Sequence, residues 1–199
     1  MQIRDLYDKY YLMPQLREHQ LRVGGIVRLI TDDHDSIITA LVHDMGNIVK
    51  FDLDHPLTQV EDLEKWKIEQ EHVRTTYGSD AHEATFAILK DAGLNKYNIH
   101  LRDEGRAYDN ESLDVDFFES MSKPALFTLY GDMRVSIEGV VTMQERIEDL
   151  ERRYSAPRTE SKWAKKLEDY MQSIASIDVR SITEVMVEPL FDELLTMTV

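Results

Sequence analysis

An adjacent histidine and aspartate, His43 and Asp44, carry the first chemical signal in this chain of 199 residues. They follow an apolar segment in the run ALVHDMGN, and neighbouring residues on a helix point about 100° apart. Both side chains therefore reach one ion only if it lies beside the helix end. An imidazole with a carboxylate suits Zn, Mn, Fe, Co or Ni, and the carboxylate also admits Mg. The pair indicates a divalent-metal site, while its ordinary alternative is a helix cap that places a histidine near the negative end of the helix dipole.

His19 and Asp132 extend the pair to four candidate ligands. His19 lies one turn from Leu16 and Val23, on the face of a predicted helix that should point inward. A single histidine on such a face is ordinarily a hydrogen-bonded core residue. Asp132 follows the apolar stretch 125–130 and would be a buried carboxylate in a central helix. Burying that charge requires a cation or several hydrogen-bond donors, so a metal would account for its position.

The order His19, His43-Asp44, Asp132 resembles the H…HD…D signature of the HD-domain metal-dependent phosphohydrolases, over about residues 15–150. The segments REHQLRVGGIV, ALVHDMGNI and YGDMRVS are similar to the ligand segments of that family. The resemblance implies a compact helical fold in which these four side chains bind one divalent ion, drawn from Mn, Co, Ni, Zn, Fe or Mg. It also implies that a water on this ion attacks the phosphate ester of a nucleotide or another small phosphorylated metabolite.

Several basic side chains are candidates for binding the substrate phosphate. Arg22 lies one turn after His19, and Arg134 lies two residues after Asp132. Either guanidinium could offset phosphoryl charge, although arginines in such positions more often pair with carboxylates or face solvent. Weaker candidates for the same role are Lys50 and Lys67. The cyclic-dinucleotide phosphodiesterases of the family have Gly-Lys soon after the HD pair, whereas this chain has Met45-Gly46-Asn47, so a lysine-assisted role in this loop is doubtful.

Two glutamates are candidates for proton transfer. In the nucleotidase members of the family a Glu some distance after the HD pair has this role, and Glu69 and Glu71 lie in about that region. The sequence leaves the choice between them open, and the acidic helix that carries them, EKWKIEQEH, is by default a solvated face.

Three further histidines lie between the HD pair and the last aspartate, namely His72, His82 and His100. Two more histidine ligands there would permit a second metal and a di-iron oxygenase, which is the alternative enzyme class. Polar neighbours make His72 and His100 natural surface residues, and only two of the three fit a six-ligand pattern. We therefore expect a mononuclear site, with these histidines at most bordering the pocket. A non-catalytic module that binds a nucleotide or a partner helix is the third alternative.

The amino-acid composition limits the classes of partner that this protein is expected to bind. With 38 acidic and 23 basic residues the formal net charge is -15, which repels nucleic-acid polymers, so an anionic small substrate needs local compensation. The chain has no cysteine, which excludes thiolate nucleophiles and Cys-ligated zinc and fits a reducing, cytoplasmic location. Its most apolar stretch, 37–42, is far shorter than the roughly 20 residues that cross a bilayer, so no membrane partner is expected. Homo-oligomerisation stays open.

Apolar residues recur mainly at spacings of three and four, which predicts an all-α fold. We expect an HD-type domain over 1–155 and C-terminal helices over 156–199 packed on the same core. The first major helix should bury a stripe formed by Leu16, Val23, Val27 and Ile30, and a polar stretch at 101–113 should be a mobile loop. Further helices are predicted from Ser36 as an N-cap to near Gly46, over 58–75, from Asp80 as an N-cap to Gly93, from Val115 to Gly131, and over 138–153, 159–176 and 181–196.

Overall fold

The chain folds almost entirely into helices joined by short turns. The computed structural model describes residues 1–54, 61–108, 110 and 113–199. The first six α-helices are α1 (Ile3–Lys9), α2 (Pro14–Ile30), α3 (His34–Val42), α4 (Leu63–Tyr77), α5 (Ala81–Asp91) and α6 (Asn98–Gly105). They are followed by α7 (Val115–Ser120), α8 (Lys123–Asp132), α9 (Met143–Tyr154), α10 (Ala164–Ile174), α11 (Glu184–Val187) and α12 (Phe191–Thr196). The all-α class predicted from the sequence is confirmed.

Short 3₁₀ turns and one hairpin complete the described elements. The 3₁₀ turns are Asn47–Lys50, Asn95–Tyr97, Thr159–Lys162, Val179–Ser181 and Glu188–Leu190. Strands β1 (Val135–Ser136) and β2 (Gly139–Val140) pair antiparallel between α8 and α9. No helix in the described part of the chain is long and apolar enough to cross a membrane.

Helices α2, α3 and α8 pack directly against one another and form the centre of the fold. The predicted apolar stripe of α2 is buried, from Leu16 through Val23 and Val27 to Ile30. Two glycines allow the close approach of these helices. A Cβ on Gly24 would lie 2.5 Å from a side-chain carbon of Leu41 on α3, and one on Gly131 of α8 would lie 2.9 Å from a side-chain carbon of Val23. The backbones that carry the candidate ligands are therefore held at short range.

Helices after residue 156 pack on this centre. Helix α10 contacts α8, α11 contacts α2, and α12 contacts both α1 and α2. Trp163, Leu167 and Met171 place a buried face on and just before α10. These helices cover the ligand-bearing bundle on the side where α2 and α8 would otherwise be exposed.

Several predicted boundaries were wrong. The N-cap of α3 is Asp33, because its carboxylate accepts hydrogen bonds from both the backbone N–H and the hydroxyl of Ser36. The stretch 101–113 was predicted to be a loop, yet α6 runs through Gly105 because Leu101 and Glu104 give this polar segment a buried face. Residues 109, 111 and 112 of that stretch, and 58–60 of the predicted helix 58–75, lie outside the described residues.

The later part of the chain is more broken than its periodicity predicted. The long helix predicted up to Gly131 is interrupted at Met121 and Ser122, directly before a helix start that carries Pro124 in its first turn. The segment predicted as a helix from 138 begins with strand β2 instead. Predicted helix 181–196 is divided into α11, a 3₁₀ turn at Glu188–Leu190 and α12, with Pro189 at the break. The N-cap of α5 at Asp80 is confirmed, since its carboxylate accepts from the N–H groups of His82 and Glu83.

Candidate metal centre

Three helix segments bring the candidate ligands together. His19 lies in the second turn of α2, His43 caps the C-terminus of α3, and Asp132 is the last residue of α8. The Nε2 atom of His19 lies 3.2 Å from Nε2 of His43 and 3.1 Å from Oδ1 of Asp132, and the His43 Nε2 lies 3.8 Å from the same oxygen. Among groups of three or more His, Asp or Glu in the described residues, only His19, His43 and Asp132 have ligand atoms that all lie within 4.8 Å of one another.

Asp44, the fourth candidate ligand, contacts both histidines. Its Oδ2 lies 3.6 Å from Nε2 of His19 and 3.7 Å from Nε2 of His43. Ligands placed about 2.0–2.2 Å from a common ion lie roughly 2.8–3.6 Å apart along the edges of a coordination polyhedron. The contacts at 3.1, 3.2 and 3.6 Å fall in that interval, and the two longer contacts of His43, at 3.7 and 3.8 Å, lie just above it. His19, His43 and Asp132 therefore have the spacing of ligands to one ion, and Asp44 contacts both histidines from outside that group; we call the four residues the ligand cluster.

The turn that carries His43 and Asp44 is braced by a neighbouring helix. After α3 ends, the backbone N–H of Gly46 donates to Oγ1 of Thr85 on α5, at 2.9 Å. That hydroxyl donates in turn to the carbonyl of Ala81, at 2.8 Å. The chain then enters the 3₁₀ turn at Asn47–Lys50. The contacts with α5 therefore fix the end of α3, where the helix loosens as the His-Asp pair requires.

A backbone contact orients the His43 ring. Its Nδ1 lies 2.7 Å from the carbonyl oxygen of Ala40, which accepts a hydrogen bond from the protonated nitrogen. The lone pair of Nε2 then faces the ligand cluster. A hydrogen bond from the distal ring nitrogen is the usual way in which proteins fix the tautomer of a metal-binding histidine.

Electrostatics show that the ligand cluster attracts positive charge. Burial alone would lower the pKa of His43, but the carboxylates of Asp44 and Asp132 raise it to about 9. Burial opposes the ionised form of Asp132, yet hydrogen bonds from His19 and His43 hold its pKa well below the usual range. The pKa of Asp44 is also lowered against its burial, by His43 first and then by Lys50. A proton on His43 thus takes the place that a cation would fill.

A tyrosine that the sequence interpretation missed supports Asp132. The hydroxyl of Tyr108, just after α6, donates to Oδ2 of Asp132 at 3.0 Å. This leaves Oδ1, the oxygen nearer the two histidines, as the ligand atom. The Tyr108 ring also contacts Trp163 edge-on, with centroids 6.4 Å apart, which ties the support of Asp132 to the C-terminal helices.

A buried acid, Glu104, is the second residue that the sequence interpretation missed. Its side chain on α6 is 5% exposed, and burial raises its pKa to about 8, while the positive charge on His43 opposes that rise. The usable signal was the spacing of Leu101, Glu104 and Tyr108, which places them on one helical face. The polar residues around them favoured the prediction of a loop instead.

The two arginines predicted to bind phosphate have other partners. Arg22 donates from Nε to Glu184 at 2.7 Å and from Nη1 to Glu18 at 3.2 Å. Arg134 is 1% exposed, and its guanidinium serves the fold rather than the ligand cluster. It donates to the carbonyls of Val141, Val179 and Ile182 and to the hydroxyl of Tyr130, over 2.6–2.9 Å.

The predicted lysines and glutamates lie around the turn after the HD pair. Lys50 is exposed, and its positive charge lowers the pKa of Asp44. Lys67 is paired with Asp54 at 2.8 Å. On α4, Glu71 is exposed and Glu69 is half-buried. A cavity of about 570 Å³ beside this turn is lined by Lys50, Phe51, Asp52, Leu53, Asp54, Lys67, Gln70 and Arg74, and so by none of the four candidate ligands.

The three histidines considered for a second metal lie on three different helices. His72 is exposed on α4, with its ring edge-on to Tyr77 at 6.5 Å, and His82 is exposed in the first turn of α5. His100 is half-buried, with Nδ1 3.0 Å from the hydroxyl of Ser122. None of them belongs to a group with metal-ligand spacing among the described residues. The single-metal site therefore remains the prediction.

Comparison with known proteins finds no matching family model, curated protein or solved structure. The resemblance to the HD family accordingly depends on the four candidate ligands, their order along the chain and their distances in the fold.

Proposed function

We propose that this protein is a divalent-metal-dependent phosphohydrolase that acts on a nucleotide or another small phosphorylated metabolite, and that it has an HD-type fold. The observation that carries the proposal is the meeting of His19, His43 and Asp132 at ligand-to-ligand distances of 3.1–3.8 Å, with Asp44 at 3.6 and 3.7 Å from the two histidines. Their order in the chain is that of the HD signature, and their burial makes an uncompensated arrangement of carboxylates costly.

The four side chains would hold one ion through Nε2 of each histidine and one oxygen of each aspartate. A divalent ion bound there supplies a water of lowered pKa and offsets the charge of a phosphoryl group. In the overall reaction the water oxygen forms a bond to phosphorus, the ester P–O bond breaks, and the departing alkoxide takes a proton, which leaves an alcohol and inorganic phosphate. A chain of charge -15 otherwise repels such a substrate, so local positive charge is a requirement of the activity.

Neighbouring residues of the chain orient the side chains that would bind the ion. The carbonyl of Ala40 keeps the proton of His43 on Nδ1, so Nε2 stays free to act as a ligand. Tyr108 occupies Oδ2 of Asp132 and turns Oδ1 towards the histidines. Side-chain exposures of 17–22% for Asp132, His19 and Asp44 leave the ligand cluster open to a small molecule, whereas His43 is covered.

The decisive experiment is a metal titration combined with an activity screen. Protein stripped with chelator is titrated with Mn²⁺, Co²⁺, Ni²⁺, Zn²⁺, Fe²⁺ and Mg²⁺ by calorimetry, and phosphate release is measured from a panel of phosphorylated metabolites. We expect one ion per chain and metal-dependent phosphate release. His43→Ala should weaken metal binding by at least about 100-fold and abolish turnover.

The matched control is His72→Ala, because His72 is exposed on α4 and should affect neither measurement. Equal metal affinity in His43→Ala and the wild type would contradict the metal site. Metal binding without phosphate release from any compound of the panel would contradict the hydrolase. Two irons per chain would favour the oxygenase instead.

A further inference from the structure

Arg146 on α9 is a buried cation beside the ligand cluster whose hydrogen-bonding capacity is almost unused. It is 9% exposed, and its Nη2 lies 4.0 Å from Oδ1 of Asp132, which is too far for a hydrogen bond. Its Nη1 lies 3.5 Å from Oδ2 of Asp149, at the limit of such a bond. Its Nε is buried without a partner among the described residues. Native proteins rarely leave a buried charged group so poorly bonded unless it serves a ligand.

The other arginines close to the ligand helices show what a structural guanidinium looks like in this fold. Arg134 makes hydrogen bonds with all three of its nitrogens, none longer than 2.9 Å. Arg22 makes a 2.7 Å bond to Glu184. Arg146 has no contact of that quality, so its position is not explained by the bonds it makes within the chain.

The one carboxylate that Arg146 approaches on its own helix is shared with other arginines. Arg152 contacts Asp149 at 3.0 Å and Arg153 contacts it at 2.7 Å. Three guanidiniums therefore meet one carboxylate on this part of α9. Asp149 is therefore shared among three cations, and Arg146 makes the longest of the three contacts, so this carboxylate does not satisfy its guanidinium.

Helix α9 presents Arg146 on a rigid support. The helix begins with a capping box, in which Oγ1 of Thr142 accepts from the N–H of Glu145 and the Glu145 carboxylate accepts from the N–H of Thr142. Met143, Ile147 and Leu150 are buried on either side of Arg146. A guanidinium fixed in this way loses little freedom when it binds a ligand.

We propose that Arg146 forms an oxyanion subsite beside the ligand cluster and that its Nη2 edge binds a phosphoryl oxygen of the substrate. The assignment rests on the proposed hydrolase function for the identity of the oxyanion as phosphate. The planar fork of a guanidinium matches phosphate better than an ammonium does, which gives the subsite a specific chemical requirement. Arg146 thereby replaces Arg22 and Arg134 as the arginine that receives the phosphate.

The subsite is tested with inorganic phosphate as the probe and without turnover. Calorimetry at saturating Mn²⁺ measures phosphate affinity for the wild type, for Arg146→Gln and for Arg152→Gln, where Arg152 is an exposed arginine six residues further along α9. We expect Arg146→Gln to weaken phosphate binding at least about tenfold and Arg152→Gln to change it less than about threefold. The Mn²⁺ affinity of Arg146→Gln should stay within about threefold of the wild type.

Arg146→Lys keeps the charge without the fork and guards against a Gln variant that does not fold, as judged by circular dichroism. We expect phosphate affinity between those of the wild type and Arg146→Gln, and wild-type affinity in the Lys variant would overturn the assignment of a guanidinium subsite. Unchanged phosphate binding in Arg146→Gln, absence of phosphate binding in the wild type, or an equal fall in Mn²⁺ affinity would each overturn the subsite. Phosphate release in the activity screen is a separate readout, so the hydrolase proposal can fail while the subsite stands, and the reverse.

Discussion

Two polar centres, one fully buried and one partly exposed, lie only two residues apart at the end of α8, and they are built in opposite ways. Around Arg134, the guanidinium donates to three backbone carbonyls and one hydroxyl, all from within the chain. Around Asp132, imidazole nitrogens and carboxylate oxygens meet one another at 3.1–3.8 Å, which are contacts between groups that all bind cations. The first centre is complete by itself, and the second requires a proton or a metal between its members.

This difference distinguishes buried polar groups that stabilise the fold from polar groups that we propose bind a ligand. Burying a charge is tolerated when every donor finds an acceptor, as at Arg134, and the result joins α8 to the hairpin and to the turns at Val179 and Ile182. The ligand cluster does not have a complete set of donors and acceptors within the chain, and neither does Arg146 beside it. The incomplete hydrogen-bonding set around Asp132 and Arg146 is where we propose that a ligand binds.

The strongest test of this contrast is removal of the Arg134 guanidinium. Arg134→Met should lower the free energy of unfolding by about 3–5 kcal/mol, because it leaves the buried carbonyls of Val141 and Ile182 without this donor and leaves Val179 with only the Tyr130 hydroxyl. Denaturant titration measures the loss. Metal affinity, measured at a temperature where the variant is still folded, should remain that of the wild type. A variant that loses metal but not stability would reverse the roles assigned to the two centres.

A smaller effect of opposite sign is expected from Glu104. The folded state raises its pKa from 4.5 to about 8, so the folded protein binds more protons and loses stability as the pH rises through that interval. Glu104→Gln removes this titration. The metal-free variant should be more stable than the wild type by about 1–3 kcal/mol at pH 7, with the largest gain above pH 8 and none below pH 4.5.

Denaturant titrations of the metal-free proteins across this pH range measure the Glu104 effect, and Glu71→Gln on the exposed face of α4 is the control. A gain that did not depend on pH would show that the substitution acts through packing. A loss of stability at every pH would mean that the Glu104 carboxylate is bonded as completely as the Arg134 guanidinium, which would weaken the contrast between the two centres.

The smallest effect is expected where the two kinds of polarity meet, at Tyr108. Tyr108→Phe removes the hydrogen bond to Oδ2 of Asp132 but retains the ring contact with Trp163. We expect metal affinity to fall about tenfold, which is typical for loss of a partner behind a metal ligand, with a change in stability below about 1 kcal/mol. Calorimetric metal titration measures the change.

Tyr10→Phe is the matched control for Tyr108, since the Tyr10 hydroxyl donates to Asp91. Unchanged metal affinity in Tyr108→Phe would show that Asp132 is oriented by the helix end alone and needs no support from its second oxygen.

The helical class and the buried stripe of α2 were predictable from the sequence because they depend on local properties, and the four candidate ligands were chosen from their residue types and their order in the chain. Hydrophobic periodicity reports the face that a helix buries, and residue type reports which atoms can bind a metal. The break of the long predicted helix before α8 and the polar helix α6 were missed for the same reason. Local patterns do not report how much of a neighbouring surface is available to cover a weakly amphipathic segment.

The partners of the charged residues were decided by the tertiary structure alone. Residue type does not distinguish Arg22, Arg134 and Arg146. Proximity in the chain to the candidate ligands favoured the first two as phosphate ligands. In the fold, Arg22 pairs with Glu184 from α11, Arg134 is surrounded by carbonyls, and Arg146 arrives from α9 beside Asp132. The energy of a charge depends on its distance to other charges and on its exposure to water, and both are set by contacts between residues far apart in the chain.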